Sequence, residues 1–311
     1  MKIFINHANE SWVVDRFREE WKKFNPNITT ENIYDADIIW MIAPWTWKKL
    51  PKKYLKEKIV VCTIHHIDFE KFNPKEEKNF YKRDKYVNFY HSISQKTTNQ
   101  LKRLTNKEIE TNPFWVNQNL FYEIPNMSSL RNKYKIDENA FLVGSFQRDT
   151  EGKDLVSPKL SKGPDRLLEI FQNIYQKNEN TIFLLTGIRR NYIINKLESM
   201  DIPYLYFEMP NFEVLNELYN CLNLYIVASR VEGGPQALFE CAITKTPIIS
   251  TDVGMASNIL NQKSIFDMSN FLTAEPDVEF AYEKVQHYLI PKGFNFFNSF
   301  FNKMVGVKFE N

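Results

Sequence analysis

Glycine is scarce here, nine residues in 311, and no GxGxxG run follows an early strand. That omission argues against a nucleotide-dependent oxidoreductase, whose phosphate-cradling turn needs those glycines. Cysteine is scarcer still. Cys62, Cys221 and Cys241 are odd in number, show no CxxC spacing and sit among apolar neighbours, which excludes a disulfide framework or cysteine metal site and marks them as reduced core residues. No apolar run approaches the roughly 18–20 residues of a membrane span, and the opening MKIFIN lacks the apolar region and small-residue cleavage site of a signal peptide. The expectation is a cytosolic chain. There is no short-period repeat and no low-complexity tract. Neither sign of charge dominates, since 40 Lys+Arg stand against 38 Asp+Glu.

What is present reads as a soluble globular protein, 43% hydrophobic and 25% charged, and long enough for two domains. Residues 1–125 carry 21 Lys+Arg against 16 Asp+Glu, leaving 19 against 22 for the remainder. The front half is therefore the basic half, a weak pointer to an acidic partner there. Strand candidates KIFIN, DIIWMIA, IVVCTI and YVNFYHSIS in front, and FLVGSF, TIFLLTG, YLYFEM, LYIVAS and PIISTD behind, alternate with helical patterns such as SWVVDRFREEWKKF and PDRLLEIFQNIYQK. Such alternation predicts parallel sheets covered by helices. A polar stretch near residues 118–138 reads as the boundary. The domains expected are 1–120 and 121–290, with a helical segment 291–311 packing back on the first and Pro291 as the break before it. In doubly wound sheets ligands bind beyond the carboxyl ends of the strands, so a cleft between the domains is the expected site.

The stretch SRVEGGPQALFECA follows such a strand. Gly233 and Gly234 let the backbone turn and approach a ligand, Pro235 suits the first position of a helix, and the helix N-terminus offers free N–H groups to a phosphate. Glu232 and Glu240 flank the turn. Carboxylates repel phosphate but accept strongly from paired hydroxyls, so sugar hydroxyls on both sides of a diphosphate would suit them. The alternative is a capped core helix with two surface glutamates.

The run SRVEGGPQALFECAITKTPIISTDVG resembles the donor-binding segment of family 4 glycosyltransferases of the GT-B fold, whose two glutamates are separated by seven residues, here Glu232 and Glu240. FLVGSFQRD followed by SKGPDRLLEIF resembles that family's strand-Arg and Lys-Gly-helix pair, giving Arg148 and Lys162. NPFWVNQNLF resembles its interdomain segment, and CTIHHID its Thr-x-His, pointing to His65. The likeness covers residues 113–260 well and the front less well. NHANESWVV replaces the glycine-rich loop expected after the first strand, Lys245 stands where glycine is common, and Asn258 where glutamate is common.

The resemblance implies two facing Rossmann-like domains and a retaining transferase. It would move a hexose from a nucleoside-diphosphate sugar to a hydroxyl of a glycan, glycolipid or other acceptor, as in envelope polysaccharide synthesis. The catalytic set implied is Glu232, Arg148, Lys162 and His65. Glu240, Gly233, Gly234, Pro235, Gln236 and Lys153 would bind the donor. The cations would stabilise the departing diphosphate, so no metal and no cofactor is expected. The competing reading is a noncatalytic nucleotide-sugar-binding or assembly protein on the same fold. Asp35-Ala36-Asp37 precedes a strand instead of following one, and reads as a turn rather than a metal pair. Trp45 and Trp47 among Lys48, Lys49, Lys52, Lys53, Lys56 and Lys58 suit either a solvated loop or peripheral contact with the inner membrane face. Nucleic acid is not expected as a partner, because no stacking platforms interleave with a basic groove.

Overall fold

The branched-rich runs between the helical patterns form parallel strands in the computed structural model, which describes residues 1–10 and 12–308 (side chains to 306). The chain divides into two units, residues 1–115 with 288 onward, and residues 116–287.

Unit 1 holds a six-stranded sheet of β1 (Ile3–Ile5), β2 (Thr29–Thr30), β3 (Ile38–Met41), β4 (Ile59–Ile64), β5 (Phe89–Ser92) and β6 (Ile109–Thr111), in the order 2-1-3-4-5-6 and parallel throughout. Every residue of β3 and β4 is buried, as both faces of a helix-covered parallel sheet must be. The helices are α1 (Val13–Phe24), α2 (Lys52–Glu57), α3 (Pro74–Asp84) and α4 (Gln95–Leu101). The C-terminal helix Asn295–Lys308 also belongs to this unit. Its Phe297 and Phe301, with Phe294 just before, enclose Trp21, Trp40 and Trp115. Ring centroids lie 4.5 Å apart for Trp115–Phe294, 5.3 Å for Trp40–Phe297 and 5.6 Å for Trp21–Phe301, mostly edge to face.

Unit 2 holds β7 (Phe141–Phe146), β8 (Thr181–Thr186), β9 (Tyr204–Phe207), β10 (Leu224–Val227), β11 (Ile248–Thr251) and β12 (Ile265–Phe266), with α5 (Met127–Lys133), α6 (Pro164–Lys177), α7 (Asn191–Glu198), α8 (Phe212–Asn220), α9 (Gln236–Thr244), α10 (Ala256–Ile259) and α11 (Val278–Val285). The strand order 12-11-10-7-8-9 is, counted within the unit and read from its other edge, 3-2-1-4-5-6. That is the doubly wound order whose reversal point, between β7 and β10, receives ligands.

The polar stretch read as a boundary is tied into unit 2. Asn216 accepts from Tyr122 N at 3.0 Å and Asn220 from Ile124 N at 2.7 Å, and Phe121 is buried against Tyr219. Buried Arg131 donates to Cys221 O. All three cysteines are buried and reduced, with thiol pKa values pushed up by burial, to about 11 at Cys62.

Candidate functional site

At the reversal point of the unit 2 sheet two chain segments meet: the one leaving β7, which runs from Gln147 to Gly163, and the one leaving β10, from Ala228 to Pro235. Their proximity explains the glycine of SKGPD. Gly163 has φ +63°, and a Cβ there would lie 2.0 Å from Ala228 O, so only glycine fits. Pro164, with its φ set for a helix and no N–H to lose, then opens α6. Arg230 and Val231 donate their backbone N–H groups to Ser161 O at 2.9 and 3.0 Å. The Arg230 guanidinium also forks onto Asp165 at 2.7 and 2.5 Å, holding that carboxyl below its usual range.

This zipper brings two of the expected residues into contact. Lys162 Nζ is paired with Glu232 Oε1, the side chains 22% and 10% exposed. Ser229 Oγ donates to the same Glu232 oxygen at 3.2 Å, and Gln147 Nε2 donates to Lys162 O at 3.0 Å. Arg148 is half-buried, with Nε donating to Thr150 O at 2.8 Å. Lys153 is exposed in a hairpin closed by a bridge between Thr150 and Pro158.

Glu240 lies in α9 and is 6% exposed, accepting from Tyr219 OH at 2.8 Å. Burial beside that carboxylate pushes the Tyr219 phenol well above its usual value, so it stays a donor. With Glu232 nine-tenths buried as well, neither glutamate is a surface residue. Pro235 is the residue before the helix, which begins at Gln236 and has no side-chain cap on its first N–H groups. Gly233 and Gly234 do not need positive φ. Their turn is instead crossed by Gly254, whose added Cβ would meet Gly233 O at 2.1 Å.

In unit 1, His65 follows β4, half-buried, between Phe114 and Trp45 with ring centroids 5.8 Å from each. Its Nε2 lies 2.8 Å from Ile42 O. A carbonyl only accepts, so Nε2 carries the proton and Nδ1 keeps the lone pair. Desolvation lowers its pKa to about 4, leaving a neutral ring at pH 7. The adjacent His66 is exposed. Where the glycine-rich loop is missing, Asp15 of α1 accepts N–H groups from Ala8, Asn9 and Glu10 at 3.1, 3.1 and 2.7 Å. A carboxylate of the chain itself thus fills what would be an anion-binding turn.

Trp47 is set apart from the lysine stretch that surrounds it in sequence. It is 5% exposed within the unit 1 core, packed there because the turn Pro44–Lys49 points it inward, and only Trp45 remains exposed, with Lys48, Lys49, Lys52, Lys53 and Lys56. Asp35 ends a helical turn, and Asp37 accepts from Lys2 N at 2.7 Å. Both lie at the amino end of β3, whereas His65 follows the carboxyl end of β4. Among the described residues no helix is long and apolar enough to cross a membrane, and none form a three-residue metal-ligating cluster.

Ser229, Gln147, Tyr219 and the Arg230–Asp165 fork escape sequence reasoning. So does a buried ion pair, Asp149 with Arg190, at 3.2 Å, in which burial raises the Asp149 carboxyl to about 6 against the pull of the guanidinium. Ser229, Gln147, Asp149, Arg230 and Asp165 lie inside the quoted motifs, but nothing in the sequence marked them as parts of the site. Arg190 and Tyr219 reach the site only through the fold.

Residues 156–291 match the family model described as Glycosyl transferases group 1. No curated protein matches the chain. Among solved structures, the chain is similar to Anabaena HepE in complex with UDP and glucose (TM-score 0.73, 12% identity, 100% of this chain and 99% of that one). It is also similar to sucrose-phosphate synthase from Thermosynechococcus elongatus (TM-score 0.68, 15% identity, 95% and 77%). A third likeness is to the pneumococcal O-GlcNAc transferase GtfA in complex with UDP and GlcNAc (TM-score 0.63, 12% identity, 86% and 57%). These likenesses show the fold, two Rossmann-like sheets of the GT-B type.

Proposed function

We propose that the chain is a glycosyltransferase of the family 4 kind, transferring a hexose with retention from a nucleoside-diphosphate sugar to an acceptor hydroxyl, in the synthesis of a glycan, polysaccharide or glycolipid. The observation that carries this reading is the meeting of Lys162, Glu232 and Ser229 at the reversal point of the unit 2 sheet, inside the segment that matches the group 1 family. Solved relatives of the same fold hold UDP with a sugar.

Each residue has a role that its chemistry supports. Arg148 and Lys162, aided by Lys153 and the backbone N–H groups of Gly233, Gly234 and Gln236 at the turn that Pro235 leads into α9, stabilise charge on the departing diphosphate. Glu240, oriented by Tyr219, accepts from the ribose hydroxyls, and Glu232 from the transferred sugar. His65 offers Nδ1 to a sugar hydroxyl, and unit 1 takes the acceptor. The leaving phosphate then receives the acceptor proton, so the chain needs no nucleophile of its own.

Incubation with UDP-glucose, GDP-mannose and ADP-glucose, with an acceptor screen, tests the reading. The expected outcome is nucleoside diphosphate release and a product whose anomeric configuration, read by NMR, matches the donor. Binding without release under any acceptor would instead support a noncatalytic nucleotide-sugar protein. Because the fixed cations supply the charge, transfer persists in excess chelator. Loss of activity restored by manganese would overturn that part.

A further inference from the structure

The Asp149–Arg190 pair is the place where the structure spends stability for no evident gain in packing. Both side chains are 0% exposed. Asp149 Oδ2 and Arg190 Nε, although in ion-pair contact, miss hydrogen-bond geometry, as does Nη2. Taking two charges out of water costs several kcal/mol per ion, and apolar replacements of similar volume are often as stable or more so. A pair of this kind calls for a reason other than stability.

Its connections supply one. Arg190 Nη1 donates to Gln147 O, the carbonyl immediately before Arg148. Gln147, through its side chain, holds Lys162 O at 3.0 Å. Asp149, immediately after Arg148, receives Tyr192 N on its carboxylate at 3.3 Å and Lys159 N on its carbonyl at 2.8 Å, and Lys159 leads into the turn Leu160–Lys162. On the other side, Arg189 O gathers Asp149 N, Thr150 N and Thr150 Oγ1 at 3.2, 3.1 and 3.0 Å. Arg148 is thus bracketed by two residues that the pair fixes, and the backbone of Lys162 hangs from the same bracket. The segment before α7 acts as the fixed anchor.

We propose that Asp149 and Arg190 are positioning residues, a buried clamp that sets the backbone of Gln147–Arg148 and the Lys162 turn so that the two cations converge on a donor diphosphate. This rests on the function proposed above. Positional errors of about 1 Å in such groups cost on the order of a hundredfold, which gives a desolvated pair its purpose.

The test separates positioning from folding. In the intact chain, Asp149→Leu/Arg190→Met removes both charges at similar volume, so the melting temperature stays within a few degrees of wild type or rises. Of UDP-glucose, GDP-mannose and ADP-glucose, the tightest binder to wild type is titrated into each variant by calorimetry, beside its free nucleoside. The double variant is expected to bind the nucleotide sugar at least about tenfold more weakly while nucleoside binding is unchanged. Arg190→Lys, which keeps the charge but not the planar fork, should recover part of the loss. Wild-type affinity for the nucleotide sugar in a well-folded double variant overturns the clamp and leaves the proposed function standing. No binding of any of the three donors by wild type overturns both.

Discussion

Glu232 and Lys162 are paired with each other, and this changes what their removal should do. A diphosphate that takes Lys162 must first displace the carboxylate. Glu232→Gln therefore frees the ammonium, and calorimetry with UDP, GDP and ADP should show several-fold tighter binding of the preferred diphosphate, while turnover falls because the sugar's hydrogen bond loses the carboxylate charge that strengthens it. Glu240→Ala should do the reverse, weakening the diphosphate by about ten- to a hundredfold, the range of one charge-assisted hydrogen bond. Equal effects from both substitutions would refute separate roles. The two glutamates, the lysine and the arginine were legible in the sequence because each sits in a short motif after a strand. Their pairing was not. Lys162 and Glu232 lie 70 residues apart, and only the strand order that sets β7 beside β10 makes them neighbours.

The ends of elements show the same division between local signal and fold. Lys245, where glycine was the common residue, is the C-cap of α9 at φ +55°, a left-handed conformation costing about 1–2 kcal/mol for a residue with a Cβ. Its ion pairs with Glu279 and Glu123, at 3.2 and 3.7 Å, engage exposed carboxylates and return little. Lys245→Gly should stabilise the protein by about 1 kcal/mol, seen as a higher denaturant midpoint with unchanged slope; a lower midpoint would mean that the lysine contacts outweigh the strain. The long central strands and amphipathic helices could be read from periodicity. The edge strands β2, β6 and β12, two or three residues each, could not, because such short stretches carry no period and form only against a neighbour already in place. The burial of Trp47 was not legible for a related reason. A tryptophan among lysines looks interfacial until the turn that carries it is known to point inward.

At the scale of the molecule, unit 1 is built from both ends of the chain and unit 2 from a single run. Acid should act on unit 1. His65 and His91 are held neutral, with pKa values lowered by desolvation to about 4 and about 3. Their folded values lie below the unfolded 6.5, so the stability they contribute is full above pH 6.5 and drains away as pH falls toward 4 and 3. His91→Gln should flatten that decline in a melting series, and an unchanged slope would remove His91 from the account. Binding of a nucleotide sugar at the reversal point of the unit 2 sheet is read most directly by amide hydrogen exchange of the intact chain. With saturating UDP-glucose, GDP-mannose or ADP-glucose, whichever binds, exchange should slow at residues 147–150, 160–163 and 230–240. Protection confined to unit 1, or bound donor with no change in those three segments, would contradict it.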